Sequence, residues 1–399
     1  MSDVIVRVAA RGDGITADGR HAAHAAPGDT LAPDGSVIPG AHHQTPPCRH
    51  FPICGGCQLQ HLDDASYAAF LTDRIAGALA AQGLSAPIRP PVLSPSHTRR
   101  RATLHAEAKG GGLQLGFSEQ ASHAIVDLRE CWILTPTLFA LIAPLRKLLS
   151  RALKGRARVH LTELDQGVDV LIEGTIADGL AIAEAITAFC SANGVARLAI
   201  DDGIGPETRW EPEAVTITLG GVAVPFPAGS FLQATQEGEA ALVAAVREAI
   251  GDARISADLF AGLGTFALSL PGKVYAAEAG RDAILALKAG AAHAGRAVFA
   301  EHRDLFRRPL TAAECDRFTA IVLDPPRAGA KEQIAQLAGS KVPVIAYVSC
   351  NPSSFARDAE ILSKGGYTLD WIQPVGQFRW STHAELAARF SRQGPTSQG

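Results

Sequence analysis

Apolar and polar positions divide the chain into three stretches of different rhythm. From about residue 225 onward, short apolar runs alternate with longer mixed stretches at a short period, which predicts a parallel sheet flanked by helices. Residues 273–277, 320–323 and 342–348 are the clearest strand candidates, and 367–372 and 385–390 would supply the last two. Between 90 and 225 the pattern is mixed, with hairpin-like strands at 101–108 and 112–117 and helical stretches near 136–153 and 178–192. Strand patterns at 157–161 and 168–172 lie between those helices, and another helix is predicted over about 65–81, with packing on the C-terminal domain as an option. Residues 1–45 alternate only loosely, through Val4, Val6 and Val8, and are rich in Gly, His and Pro. The expected organisation is a short N-terminal β segment (1–45), a mixed α/β portion (46–225) and a C-terminal α/β domain (226–399).

Composition narrows the class without naming the activity. Of 399 residues, 47% are hydrophobic and 19% charged, an ordinary globular balance. No apolar stretch reaches the eighteen or so residues of a membrane span. The opening Met-Ser-Asp-Val-Ile-Val-Arg lacks a basic segment leading into a long apolar core, so a secretory leader is not expected and the cytoplasm is the expected compartment. No obligate protein partner is implied. The net charge of -3 argues against a globally basic nucleic-acid binder, so any RNA contact must rest on local patches. Arg99-Arg100-Arg101 is the densest patch and opens an alternating strand, whereas Arg146, Lys147, Lys154, Arg156 and Arg158 read as a solvated face.

Candidate chemistry gathers at the strand ends of the C-terminal stretch. The run 342–348 leads into Ser349-Cys350-Asn351-Pro352, where Pro352 disfavours helix at Asn351. That sets Cys350 on a turn at the carboxyl edge of the sheet, where open α/β sheets bind ligands. A lone cysteine there more often just fills an apolar strand end; its upstream company decides otherwise. Asp258-Leu259-Phe260-Ala261-Gly262-Leu263-Gly264-Thr265-Phe266 follows a short strand pattern and precedes an apolar, helix-like stretch, and its glycines allow a tight turn and close ligand approach. Glu278 closes the next strand, where a carboxylate can take both ribose hydroxyls. A further strand ends near Asp304, and 320–323 runs into Asp324-Pro325-Pro326-Arg327. The glycine loop and Glu278 alone suit NAD and S-adenosylmethionine equally.

The whole order resembles the RNA uracil-C5 methyltransferase family. The resemblance covers nearly the full chain, through Phe231-Leu232-Gln233, Asp258-Leu259-Phe260, Asp324-Pro325-Pro326-Arg327-Ala328-Gly329, Ser349-Cys350-Asn351-Pro352 and His383-Ala384-Glu385. It implies a class I S-adenosylmethionine-dependent, Rossmann-like methyltransferase domain, a central RNA-binding domain and a curtailed N-terminal segment like the TRAM module. It implies Cys350 as the thiolate that attacks carbon 6 of uracil and Glu385 as the base that removes the carbon-5 proton. Cofactor contacts are implied at Gln233, Phe260, Gly262, Gly264, Thr265, Glu278, Asp304 and Asp324, Asp324 being equally suited to hold the uracil edge. Ala234-Thr235 and Ala261 depart from the family's usual residues. The target base would be flipped or taken from a loop.

Seven cysteines, an odd number, argue against a disulfide framework in such a chain. Cys48, Cys54 and Cys57 cluster, with Gly55 and Gly56 allowing a tight turn. A fourth ligand could be His50 or His61 for zinc, or the distant Cys131 for an iron–sulfur cluster, and spacing leaves both metals open. The resemblance implies a 4Fe–4S cluster on Cys48, Cys54, Cys57 and Cys131, in the branch acting on 23S ribosomal RNA. Cys190 and Cys315 match nothing and read as buried thiols. Methylation of transfer RNA is the alternative substrate. A nicotinamide-dependent oxidoreductase is the alternative class, but it leaves Asp324 and Cys350 without a task. A radical enzyme would want a Cys-x-x-x-Cys-x-x-Cys set, which this chain lacks.

Overall fold

Residues 3–110 and 112–392 are described by the computed structural model. Its centre is an eight-stranded sheet. From one edge the order is Val298–His302, Lys273–Glu278, Ile255–Leu259, Ala320–Leu323, Val344–Ser349, Glu385–Ser391, Thr368–Gly376 and Val92–Leu93. The first five strands run parallel, and Glu385–Ser391 is antiparallel to both neighbours. The order reverses between Ile255–Leu259 and Ala320–Leu323, so their carboxyl ends open the crevice in which such sheets hold ligands. This is the doubly wound arrangement expected from the motif order.

The inner strands are continuous apolar runs because both faces are covered. Ala320, Ile321, Val322 and Leu323 are all buried, as are Ile345 to Val348. One face packs Leu242, Val246, Phe266 and Leu287, and the other packs Tyr347 and Phe355 with Ile75 and Leu79. Ile75 and Leu79 belong to helix Asp64–Ala80, capped by Asp63, whose side chain accepts the Ser66 N–H at 2.7 Å. Strand Val92–Leu93 pairs alongside Val375 and Gly376. Residues 64–93 thus pack on the C-terminal sheet, while Tyr67, Phe70 and Leu71 also cover Val8, Leu59 and Leu62 of the portion they follow in sequence.

The middle portion is a six-stranded sheet in the order Glu207–Trp210, Val195–Asp201, Gly167–Ile176, Leu153–Leu164, Arg101–Lys109, Gly112–Gly116. Helices Ile142–Ala152 and Leu180–Ala192 cover it through Leu145, Leu149, Ile186 and Phe189. The helical stretch expected at 136–153 is split into Pro136–Ala140 and Ile142–Ala152. Pro144 explains the break, since its ring crowds the carbonyl four residues back and its nitrogen donates nothing. The N-terminal segment holds five short strands in a three-stranded and a two-stranded sheet, joined by a Val4–Thr30 bridge. Among the described residues no helix is long and apolar enough to cross a membrane.

Residues 262–269, which run from the glycine loop into the helix-like stretch expected after Phe266, are not a helix. They form successive turns, with helical bonds only from Leu268 N to Gly264 O (2.9 Å) and Leu270 N to Phe266 O (3.0 Å). Gly262 and Gly264, at φ 53° and 95°, open this stretch and Pro271 follows it, leaving too few residues for a helix to propagate.

Candidate active site

A cavity of about 530 Å³ opens at the carboxyl ends of the parallel strands. One wall is the glycine loop. Phe260 and Gly262 take positive φ (65° and 53°), which turns the chain sharply out of strand Ile255–Leu259. Asp258 fixes the loop from beneath: it is fully buried, and its Oδ2 accepts the Ala267 N–H at 2.7 Å. Burial pushes its carboxyl up to about 8, further raised by Asp324 and Glu278. Glu278 ties the loop from the side, accepting from Gly262 N (3.0 Å) and Gly280 N (2.6 Å). A carboxylate has about four acceptor positions, so two remain for a ligand's hydroxyls. Phe260, Gly262, Thr265 and Glu278 all line the cavity, and Phe306 joins them, its ring 5.4 Å from that of Phe260.

Three further elements bring Asp324, Cys350 and Glu385 into the same cavity. Asp324 follows strand Ala320–Leu323, its N–H bonded to Leu259 O at 3.2 Å. Cys350 lies between strand Val344–Ser349 and helix Pro352–Lys364, on a turn held at both ends. Asn351 is extended (φ -141°, ψ 101°) and caps the helix, while its Nδ2 donates to Arg327 O at 3.0 Å. Ser354 donates to the same carbonyl at 3.1 Å, so the cysteine turn and the Asp-Pro-Pro-Arg loop are bound as one unit. Burial raises the Cys350 thiol, and Glu385 and Asp324 raise it further, against a lowering by Arg327. Glu385 opens its strand at 6% exposure, and burial with nearby Asp324 lifts it to about 8. Asp324 itself rises to about 7 through burial. The site therefore holds two carboxyls and a thiol near or above neutrality, the condition in which proton transfer at physiological pH is available.

A residue that sequence reasoning missed organises this group. Gln377, 1% exposed, accepts the Ala234 N–H on Oε1 at 2.8 Å. A backbone N–H can only donate, so the amide has one orientation, and Nε2 donates to Gln233 Oε1 (2.7 Å) and to Glu385 Oε2. Gln233 must then direct its own NH₂ toward the cavity, where Asp324 Oδ2 lies at 3.5 Å. The only signal in sequence was a polar residue closing the otherwise apolar end of a strand.

Other expected positions are placed differently. Asp304 does not line the cavity: its Oδ1 accepts from Phe306 N (3.0 Å) and Arg307 N (3.2 Å), closing a turn that presents Phe306 instead. Gly264 is a packing glycine, since an added Cβ would come within 2.3 Å of Leu287 Cδ1. The arginine triplet is split by the strand period. Arg100 points inward, pairing with Glu239 at 2.7 Å and bonding Gln233 O at 3.2 Å, so it is structural. Arg99 and Arg101 face a separate cleft.

Cys48, Cys54, Cys57 and Cys131 line one small enclosed space together with His50. Burial raises all four thiols, Cys57 to about 12 and Cys131 to about 11. His50 Nε2 already accepts the Arg129 N–H at 3.0 Å. His61 lies apart, among His24, His43 and Phe51, and burial brings its pKa down to about 4. Among the described residues no three His, Cys, Asp or Glu side chains converge to hold a single metal ion.

Comparison with known proteins agrees with this architecture. The family described as tRNA (Uracil-5-)-methyltransferase matches residues 290–393. An uncharacterized RNA methyltransferase of Zymomonas mobilis is 53% identical over 393 residues, 97% of this chain and 99% of that protein. The 23S rRNA (uracil(1939)-C(5))-methyltransferase RlmD of Aeromonas salmonicida is 29% identical over 89% of this chain and 84% of its own. In fold, the crystal structure of Pyrococcus abyssi tRNA (uracil-54, C5)-methyltransferase superposes with a TM-score of 0.72 at 23% identity, over 98% of this chain and 100% of that one. The chain belongs to the RNA (uracil-5-) methyltransferase family: it is an RNA methyltransferase built on the class I S-adenosylmethionine-dependent fold.

Proposed function

We propose that the protein moves a methyl group from S-adenosylmethionine to carbon 5 of a uridine in 23S ribosomal RNA through a covalent bond to Cys350. The observation that carries this reading is the meeting of Cys350, Asp324 and Glu385, from three separate elements, in one cavity with the glycine loop. Cys350, once its proton has left to solvent, adds to carbon 6, and the displaced double-bond pair makes carbon 5 nucleophilic. Carbon 5 takes the methyl group as the sulfonium bond breaks, releasing S-adenosylhomocysteine. Glu385 then removes the carbon-5 proton, the sulfur–carbon-6 bond breaks, and the double bond and thiolate are restored. Gln233 and Asp324 hold the base or the cofactor's amino-acid end, and Phe260, Gly262, Thr265 and Glu278 hold its nucleoside.

The four-cysteine space is read as the site of a 4Fe–4S cluster rather than of zinc on the resemblance to the family's iron–sulfur members. A lone zinc draws its thiolates to ~2.3 Å around one point, and no such convergence is present among the described residues. The space the four thiols border is about 10 Å³, so they would draw apart around a cluster. The cluster would join residues 48–57 to 131 and so brace the wall beside Arg99, with no part in the methyl transfer.

Ribosomal RNA is favoured by the likeness to the Aeromonas enzyme over most of both chains. Transfer RNA is the second reading, since the matching family's description names it. Transfer of labelled methyl to unmodified 23S ribosomal RNA and to unmodified transfer RNA, followed by nucleoside digestion, decides between them. The expected result is 5-methyluridine in the ribosomal RNA. Label confined to transfer RNA would reverse the substrate, and label at any atom but carbon 5 would refute the chemistry.

A further inference from the structure

A second cleft of about 460 Å³ adjoins the methyl-transfer cavity and is open to solvent. It is lined by Arg99, Arg101, Phe117, Phe378 and His383, with Glu119 on its wall. We propose that this cleft is the binding site for the nucleotide next to the target uridine, its phosphodiester held by Arg99 and Arg101 and its base laid against Phe378. The inference rests on the reading of the substrate as RNA.

Charge is the first argument. Arg99 and Arg101 have no carboxylate within 4.0 Å among the described residues, whereas Arg100 between them is consumed by Glu239. Arg101 Nε is buried without a hydrogen-bond partner, and burial together with Arg99 pulls the group down to about 10. Among the described residues Glu385 is the one carboxylate that acts on Arg101, from beyond ion-pair distance. Two close guanidinium groups without a direct ion-pair partner are unfavourable in a half-buried place, and an anion with several acceptor oxygens relieves both.

Shape and surroundings supply the second. The Arg99 guanidinium carbon is 5.3 Å from the Phe378 ring centre and 5.9 Å from that of Phe117, and the Phe378 and His383 rings are 5.6 Å apart. Planar cations and rings around an open cleft are the surfaces on which unpaired bases stack. Position supplies the third. Arg101 lies 4.5 Å over the ring of Phe231, which lines the methyl-transfer cavity, and His383 is two residues before Glu385. The two cavities share a wall, so the nucleotides occupying them are neighbours on one strand.

The test is binding of a labelled single-stranded RNA decamer containing uridines, measured across salt, for wild type, Arg99→Gln, Arg99→Lys and Phe378→Leu. Affinity for S-adenosylhomocysteine, measured in parallel, shows that each variant is folded. Arg99→Gln should reduce the slope of log K against log salt by about 0.7, the value for one single-strand phosphate, while Arg99→Lys keeps it. Phe378→Leu should weaken binding about tenfold at an unchanged slope. A wild type that binds, with an Arg99→Gln variant of equal slope, would overturn the subsite alone. A wild type that binds S-adenosylhomocysteine and no RNA would overturn the substrate reading itself.

Discussion

Replacing Gln377 by Glu changes the fewest atoms and probes the most about the site. The Ala234 N–H still finds an acceptor, so the local backbone has no reason to move. What changes is the donor that faced Gln233 Oε1 and Glu385 Oε2, which becomes an acceptor. Glu385 loses its one side-chain hydrogen bond and gains a like charge in a place where burial already holds it near 8. A hydrogen bond to a charged group contributes about 1.5–3 kcal/mol, and 1.36 kcal/mol is a tenfold change in proton affinity. The ionised fraction of Glu385 at neutral pH should therefore fall about tenfold to a hundredfold. In wild type kcat should rise with pH through about 8 as Glu385 ionises, while kcat/KM, which ends at methyl transfer, follows the Cys350 thiol alone. In Gln377→Glu the rise in kcat should move to higher pH, with a matching loss at pH 7 that alkali restores and a kcat/KM profile that stays in place. Steady-state methylation between pH 6 and 10 measures this. An unshifted kcat profile with a uniformly lower rate would refute the reasoning, since it would make Gln377 only a packing residue.

Three further outcomes follow from the same geometry. Anaerobically purified protein should be brown, and Cys131→Ser should bleach it while Cys190→Ser should not, because Cys190 is buried among Leu198 and other core residues of the middle sheet; a colourless protein with one zinc would contradict the cluster. Asp258, Asp324 and Glu385 have folded pKa values of about 8, 7 and 8, above the ordinary carboxyl range of about 4. Their native-state proton uptake stabilises the fold at low pH and is lost as pH rises toward 8, so thermal melts should decline over that window, less steeply in Asp258→Asn. Arg100→Ala should cost about 3–5 kcal/mol in stability by stranding Glu239, yet leave the salt dependence of RNA binding unchanged, as unfolding and binding titrations would show.

The order of motifs along the chain carried the site because each motif ends a strand of one parallel sheet, and parallel strands deliver their carboxyl ends to one edge. Phe260, Asp324 and Cys350 follow adjacent strands and meet without any long-range information being needed. Glu385 arrives from an antiparallel strand and was legible only through resemblance. The partners that orient these groups were not legible. Gln377 and Gln233 are 144 positions apart, and nothing in either neighbourhood marks their hydrogen bond. Period-2 alternation, by contrast, could have separated Arg100 from Arg99 and Arg101, because the triplet enters a strand whose alternate residues are buried. The placement of Val92–Leu93 on the C-terminal sheet was hidden by sequence distance, since the pairing of Val92 with Val375 spans most of the chain, whereas the packing of the preceding helix on that domain was an open option from the sequence.

The covalent route through Cys350 is the centre of the account, and trapping the adduct tests it most directly. Glu385→Gln is close in size and shape and removes only the base, so addition and methyl transfer can proceed while elimination cannot. Incubated with S-adenosylmethionine and unmodified ribosomal RNA, this variant should run on a denaturing gel as a protein–RNA species bearing the labelled methyl group. The same species should vanish when Cys350→Ala is combined with Glu385→Gln. A Glu385→Gln variant that turns over at the wild-type rate without forming adduct, or an adduct that survives the loss of Cys350, would contradict it.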